Sequence, residues 1–256
     1  MTQTPDRDTL AHRLLMGVVS PATNTVVQPE MEALRPEGVV NAHARIANPD
    51  QAVARDADTL AVRAAMVAGL NGAFDTLSPC RPDHALLAVM VENFVGGGAA
   101  AEALIAAAEA RLGCPVTDVS SSVLAALAAL FEGRAVRVGL LTPFMPVGDA
   151  AARRLFEEAG HSVTRLVGLR VGSPAGIARV PLARLREAVG EIAAGGDVDV
   201  IVQAGTNLPF AGVALEAEAE LGRPVLASNP TTYWRALRRA GVMDRLSGRG
   251  VLFERA

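Results

Sequence analysis

Five residues could handle a small anion or a proton. Asn24 and Thr25 follow one short apolar run, and Thr206 and Asn207 follow another. Each pair offers the amide and hydroxyl donors that hold a carboxylate. Backbone N–H groups at 205–207 would join them where a helix begins, because helix N-termini favour anions. Asn and Thr also cap helices, so either pair alone says little. Their recurrence in both halves of the chain points to a ligand. Glu92, in VMVENF, ends a third apolar run. Desolvation at the mouth of a cleft would raise its pKa and suit it to act as a general acid or base near neutrality. The alternative is an exposed loop glutamate, or a cap for the Gly96-Gly97-Gly98 turn into the following helix.

Other chemistries are poorly served. Cys80 and Cys114 are the only cysteines. They show no metal-ligand spacing, so no metal is expected, and a reduced, cytoplasmic setting is the economical reading. Both precede strand-like runs, which puts them at the amino-terminal end of a sheet, away from a site at the carboxyl end. His84 shares that end and reads as structural. No dinucleotide or P-loop fingerprint is present, and no cofactor is expected. The formal net charge is -3, without a dense Lys/Arg run, which argues against nucleic acid. No apolar stretch reaches the roughly 20 residues of a membrane helix, and the start, MTQTPDRDTLAHRLL, lacks the basic-then-apolar order of a secretory signal.

The elements that would position these residues alternate. LLMGVVSPATN (14–24), ALLAVMVENF (85–94), VRVGLLTPF (136–144) and VDVIVQAGTNL (198–208) read as buried strands running into loops. Continuous apolar runs suit parallel strands covered on both faces. Helical patterns at 99–113, 149–161 and 181–196 lie between them, each ending at or near Gly. Three segments recur in order. Gly17-Val18-Val19-Ser20-Pro21 matches Gly139-Leu140-Leu141-Thr142-Pro143, Val89 pairs with Gly205, and Leu112-Gly113-Cys114-Pro115-Val116 matches Leu221-Gly222-Arg223-Pro224-Val225. The fold class expected is α/β, with two pseudo-symmetric lobes and mainly parallel sheets. Lobe one would take 1–118 plus 222–256, and lobe two 119–221. Ligands of open parallel sheets bind beyond the strands' carboxyl ends, so loops 20–25, 89–94, 142–148 and 204–209 would surround one interlobe cleft.

Those loops carry a family resemblance. SPATNTVVQPEME (20–32) is similar to the opening loop of maleate cis–trans isomerases, and LLTPFMPVGD (140–149) to its second-lobe counterpart. QAGTNL (203–208), followed by ELGRPVLASNPTTYWRALRRAG (220–241), resembles the carboxyl-terminal signature. The chain thus resembles the aspartate/glutamate racemase superfamily, in its maleate isomerase and arylmalonate decarboxylase branch, over nearly its whole length. In two-cysteine members a cysteine ends the second strand of each lobe, and arylmalonate decarboxylases keep only the second. Carried over, these positions fall on Val89 and Gly205, neither of which can hold a proton or act as a nucleophile. Phe144 stands where the family has tyrosine, and Met90 where a hydroxyl residue usually follows the first cysteine. A branch of the superfamily has Glu at the place of Glu92 and GTNL in place of the second cysteine motif, as here.

The resemblance implies substrate binding by Asn24, Thr25, Phe144, Gly205, Thr206, Asn207 and Asn229, with Glu92 as the candidate catalytic residue. It implies a maleate isomerase-like or racemase-like enzyme acting beside a carboxylate of a small acid or diacid, without the two cysteines. A cysteine-independent decarboxylase or lyase, and a non-catalytic small-acid binding protein on the same scaffold, stay open. So does a homo-oligomeric state.

Overall fold

The repeated glycines show how each lobe is built. In the computed structural model, which describes residues 8–89 and 91–255 apart from the side chains of 91–97, Gly17 lies on β1 (Leu14–Pro21) and Gly139 on β5 (Arg137–Thr142). A Cβ on Gly17 would come within 2.8 Å of Leu77 Cδ2, and one on Gly139 within 2.2 Å of Ile192 Cγ2. Leu77 ends α2 (Asp56–Leu77), and Ile192 lies on α6 (Leu182–Ala193). At both points a helix seats on the strand where a side chain is missing.

Among the described residues, eight strands form two four-stranded sheets of like topology. One has the order β2-β1-β3-β4 and the other β6-β5-β7-β8, and every pairing is parallel. The remaining strands are β2 (Val39–Ile46), β3 (His84–Leu87), β4 (Val116–Asp118), β6 (Ser162–Gly168), β7 (Val200–Gln203) and β8 (Val225–Ala227). Their register carries the internal repeat. Gly17 lies opposite Ala85 and Ala85 opposite Val116, while Gly139 lies opposite Ile201 and Ile201 opposite Val225. The shifts along these rungs (17 to 139, 85 to 201, 116 to 225) are those of the three sequence matches.

Side chains alternate across each strand, and both faces are covered. Met16, Val18 and Leu86 point into a central core shared with Val138, Leu140 and Val202 of the second sheet. Helices α4 (Val119–Phe131) and α8 (Ser228–Arg239) are among those that contribute to that core. Val19, Ala85 and Leu87 face the other way, toward Val62, Met66, Leu70 and Phe74 of α2. Leu141 and Ile201 face Leu185, Ile192 and Val213. Burial on both faces, worth about 1.5–3 kcal/mol per large aliphatic side chain, is why these strands read as unbroken apolar runs.

The expected lobe boundary at 222 is corrected. β8 hydrogen-bonds to β7 in the second sheet, so the chain leaves lobe two after Ala227 and returns through α8, which packs on β3 and β4. Gly222 is the left-handed cap of α7 (Ala211–Leu221). The repeated Leu-Gly-x-Pro-Val is therefore a helix end feeding a strand, as Leu112-Gly113 feeds β4, and no crossover occurs there.

Candidate functional site

Four strand ends meet across the lobe interface. Pro21, Thr23 and Asn24 follow β1, Val89 follows β3, Pro143, Phe144 and Met145 follow β5, and Gly205, Thr206 and Asn207 follow β7; all line one cavity. Its volume is about 100 Å³, of the order of the ~150 Å³ cavity that admits benzene. A few-carbon acid fits this scale. The cavity holds Asn24, Phe144, Gly205, Thr206 and Asn207 of the sequence-derived set, with both positions of the family cysteines, Val89 and Gly205.

The polar side chains do something other than wait for a carboxylate. Asn24 Nδ2 donates to Thr206 Oγ1 across the lobes at 3.1 Å, and Thr206 Oγ1 donates to the Ala88 carbonyl at 3.1 Å. Asn24 Oδ1 accepts from the N–H groups of Val26 and Val27 at the start of α1 (Val27–Glu32). Asn207 Oδ1 accepts from the Thr25 N–H at 3.0 Å, while its Nδ2 donates to the carbonyls of Pro174 at 2.9 Å and Thr23 at 3.3 Å. These side chains latch the lobes together, and the hydroxyl of Thr206 and both amide N–H groups of Asn207 are spent.

Two expected contacts move outward. Thr25 is exposed and does not line the cavity; only its N–H takes part, through Asn207. Asn229 is buried behind the β7 loop, donating to the Thr206 carbonyl at 2.9 Å and to Glu30 Oε2 at 2.7 Å. Glu30 also accepts the Ala211 N–H at the start of α7. Burial pushes its carboxyl up to about 7, opposed by the Ala211 and Asn229 hydrogen bonds.

Anion-binding capacity resides instead in the backbone. The N–H groups of Thr23, Met145, Thr206 and Asn207 have no hydrogen-bond partner among the described residues, and all four residues line the cavity. Met145, Thr206 and Asn207 are buried. Orphaned buried N–H groups are rare in folded proteins, so several around one cavity mark a place for an acceptor. Gly205 introduces the β7 pair with φ +106, and a Cβ there would lie 2.8 Å from Pro143 Cδ.

The other walls are apolar. Thr59, Val62 and Met66 share one face of α2 at helical spacing and line the cavity with Val89 and Phe144. Two loops cover it. The Val53 N–H donates to the Gly172 carbonyl at 2.8 Å, and the Ala175 N–H to Asp50 Oδ1 at 3.0 Å. Asp56 at the start of α2 accepts the Val147 N–H of α5 (Pro146–Glu158) at 3.0 Å. The α2 wall and the covering loops escaped sequence reasoning. The available signal was Thr59 itself, a hydroxyl in the apolar stripe Val62–Met66–Leu70.

Among the described lining residues none has a titratable side chain. Glu92 belongs to the first turn of α3 (Val91–Leu112), where a loop was expected, and its side chain lies outside the described residues. Cys80 is exposed just before β3, and Cys114 is buried just before β4. Neither lines the cavity; burial raises the Cys114 thiol to about 11, and a protonated thiol is a poor nucleophile. His84 is buried with Nε2 2.7 Å from Thr117 Oγ1, and burial lowers its pKa to about 4. Among the described residues no group of three His, Cys, Asp or Glu side chains is placed to hold a metal, and no helix is long and apolar enough to cross a membrane.

Comparison with known proteins agrees with this architecture. The family model described as arylmalonate decarboxylase matches residues 85–253. No curated protein matches the sequence. Among solved structures, the chain is similar to a cysteine-to-serine variant of the maleate cis-trans isomerase of Nocardia farcinica with a covalently bound succinylcysteine intermediate. Identity is 24%, coverage is 94% of this chain and 98% of that one, and the TM-score is 0.82. A variant of the maleate isomerase of Pseudomonas putida S16 with maleate is 23% identical, with 95% and 98% covered and a TM-score of 0.79. A double variant of arylmalonate decarboxylase in the liganded form is 24% identical, with 94% and 99% covered and a TM-score of 0.75.

Proposed function

The chain belongs to the arylmalonate decarboxylase family, and on that premise we propose that its interlobe cavity binds a small carboxylate and carries out cofactor-independent chemistry at the adjacent carbon, as an isomerase or decarboxylase. The observation that carries this reading is the set of backbone N–H groups at Thr23, Met145, Thr206 and Asn207 that have no partner among the described residues, around a largely apolar cavity. Fixed dipoles in a water-poor site stabilise a carboxylate and the enolate charge that develops beside it. They need no reorganisation when the reaction occurs. With Val89 and Gly205 at the positions of the family cysteines, the proton carrier we assign is Glu92, three residues beyond Val89. Removing a proton, or delivering one after loss of carbon dioxide, needs one such group.

The test is turnover of maleate and of phenylmalonate by wild type and Glu92→Gln, alongside calorimetric titration of both acids. Glu92→Gln is expected to lower turnover by roughly 10²–10⁴ with little change in binding. Unchanged turnover would place the proton carrier elsewhere. A second reading, a small-acid binding protein without catalysis, is favoured by the lack of titratable side chains among the described lining residues. Tight binding with no turnover of any acid would select it.

A further inference from the structure

Two successive peptides of the loop after β7 are held from behind. The Gly205 carbonyl accepts from Gln203 Nε2 at 2.6 Å, and also from the Leu208 N–H at 3.5 Å. The Thr206 carbonyl accepts from Asn229 Nδ2 at 2.9 Å. Gln203 and Asn229 are buried, and neither lines the cavity. No cis peptide occurs among the described residues, and in a trans peptide the C=O and N–H point opposite ways. Carbonyls turned back to these two amides therefore leave the Thr206 and Asn207 N–H groups facing forward, on the side of the cavity. Consecutive N–H groups turned one way make a concavity for an anion.

The two amides are themselves fixed. A carbonyl only accepts, so each amide must present its nitrogen to the loop. Gln203 Oε1 accepts the Ser228 N–H at 3.2 Å, and Ser228 Oγ donates to the Gln203 carbonyl at 2.8 Å. Asn229 Nδ2 also donates to Glu30 Oε2 at 2.7 Å, and Glu30 Oε1 accepts the Ala211 N–H at 2.9 Å. One carboxyl group thus ties the start of α7 to the asparagine that holds the loop. Asn229 Oδ1 is buried with no hydrogen-bond partner among the described residues. An unpaired buried oxygen is costly; what this side chain contributes is donation, to the loop and to Glu30.

We propose that Gln203 and Asn229, with Glu30 orienting the asparagine, are positioning residues that aim the Thr206 and Asn207 N–H groups at a ligand carboxylate. This rests on the carboxylate reading above and adds the residues that prepare its site.

The experiment records amide proton–nitrogen correlation spectra of the full chain, free and with saturating maleate or phenylmalonate, with calorimetric titration alongside. In wild type, at least one acid is expected to move the Thr206 and Asn207 amide protons downfield, since hydrogen bonds to a charged acceptor are short and strong. Asn229→Ala should lose the Asn207 response and keep that of Thr206, and Gln203→Leu should do the reverse. Each should weaken binding by about tenfold. Responses at Thr23 and Met145, on the other loops, should persist in both variants, which a merely loosened fold would not allow. Should either variant fail to fold, Glu30→Gln asks the same question. Its amide must set an –NH2 group against the Ala211 N–H or Asn229 Nδ2, and the Asn207 response should again fall alone. Loop responses that survive these changes, or a fall at all four amides together, overturn the proposal. So does wild-type binding without a shift at Thr206 and Asn207. Failure of the underlying carboxylate reading looks different: neither acid binds wild type or moves any of the four amides, and the proposal falls with it.

Discussion

The two lobes share a sheet order and a register, yet their strand-end loops differ. After β1 the chain runs Pro21-Ala22-Thr23-Asn24, and at the matching place after β5 it runs Pro143-Phe144-Met145-Pro146. The first loop reaches across the interface with hydrogen bonds, through Asn24 to Thr206 and through the carbonyl of Thr23 to Asn207. The second fills space with Phe144 and Met145. The β3 and β7 ends reverse this bias, since Val89 is apolar while Thr206 and Asn207 are polar. Polar and apolar walls thus lie on a diagonal between the lobes. A repeated fold supplies equivalent places, and their occupants have specialised. Such an arrangement suits a ligand whose two ends differ in polarity.

Placing a cysteine at each matched strand end should break the symmetry most visibly. Gly205→Cys puts a side chain where φ is +106 and a Cβ would meet the ring of Pro143. A loss of about 3 kcal/mol is expected from backbone strain and overpacking together. Val89→Cys changes a buried side chain of similar volume and should cost less than about 1.5 kcal/mol. Urea unfolding of both variants measures the gap, and equal losses would mean that the loop after β7 relaxes freely.

Asn207→Ala tests the polar half of the diagonal. It removes three hydrogen bonds, two of them between the lobes, and leaves the Thr25 N–H and two carbonyls without their partner. Stability should fall by about 1–3 kcal/mol. Binding of a small carboxylate should weaken about tenfold or more, because the loop carrying the Thr206 and Asn207 N–H groups loses its anchor. Normal stability with normal binding would show the latch to be dispensable.

A smaller effect concerns Glu30, which reaches from lobe one to α7. Its carboxyl titrates near 7 in the folded protein, against 4.5 for the free side chain, chiefly through burial. Below about pH 4.5 both states are protonated. Between there and pH 7 only the unfolded state releases the proton, so this contribution to stability is lost as pH rises through 7. Glu30→Gln should therefore flatten the fall in Tm from pH 4.5 to 7.5. An unchanged pH profile would show that Glu30 is well hydrated.

Much of the fold was legible because burial on both faces leaves a sequence trace. The four central strands carry continuous apolar runs, and the repeated glycines mark where helices must touch them. The edge strands β2 and β6 were not legible. VVNAHARI and SVTRLVG interleave polar residues that remain partly accessible, so no apolar run marks them. The loops around the cavity could be placed from strand ends alone, whereas the α2 wall could not, since Thr59 is some thirty residues from any of those loops.

By itself, then, the sequence determined the strand–helix alternation, the pairing of Val89 with Gly205 and the end of the sheets at which a ligand would sit. These follow from local periodicity and from the internal repeat. Only the tertiary structure decided how the polar residues are used. Asn24, Thr206 and Asn207 are the residue types that hold carboxylates, but hydrogen bonds form with whatever lies within about 3 Å, and the packed lobes bring other protein groups there first. Backbone N–H groups occur at every residue except proline, and composition cannot say which remain unpaired. That depends on the approach of chain segments more than a hundred residues apart.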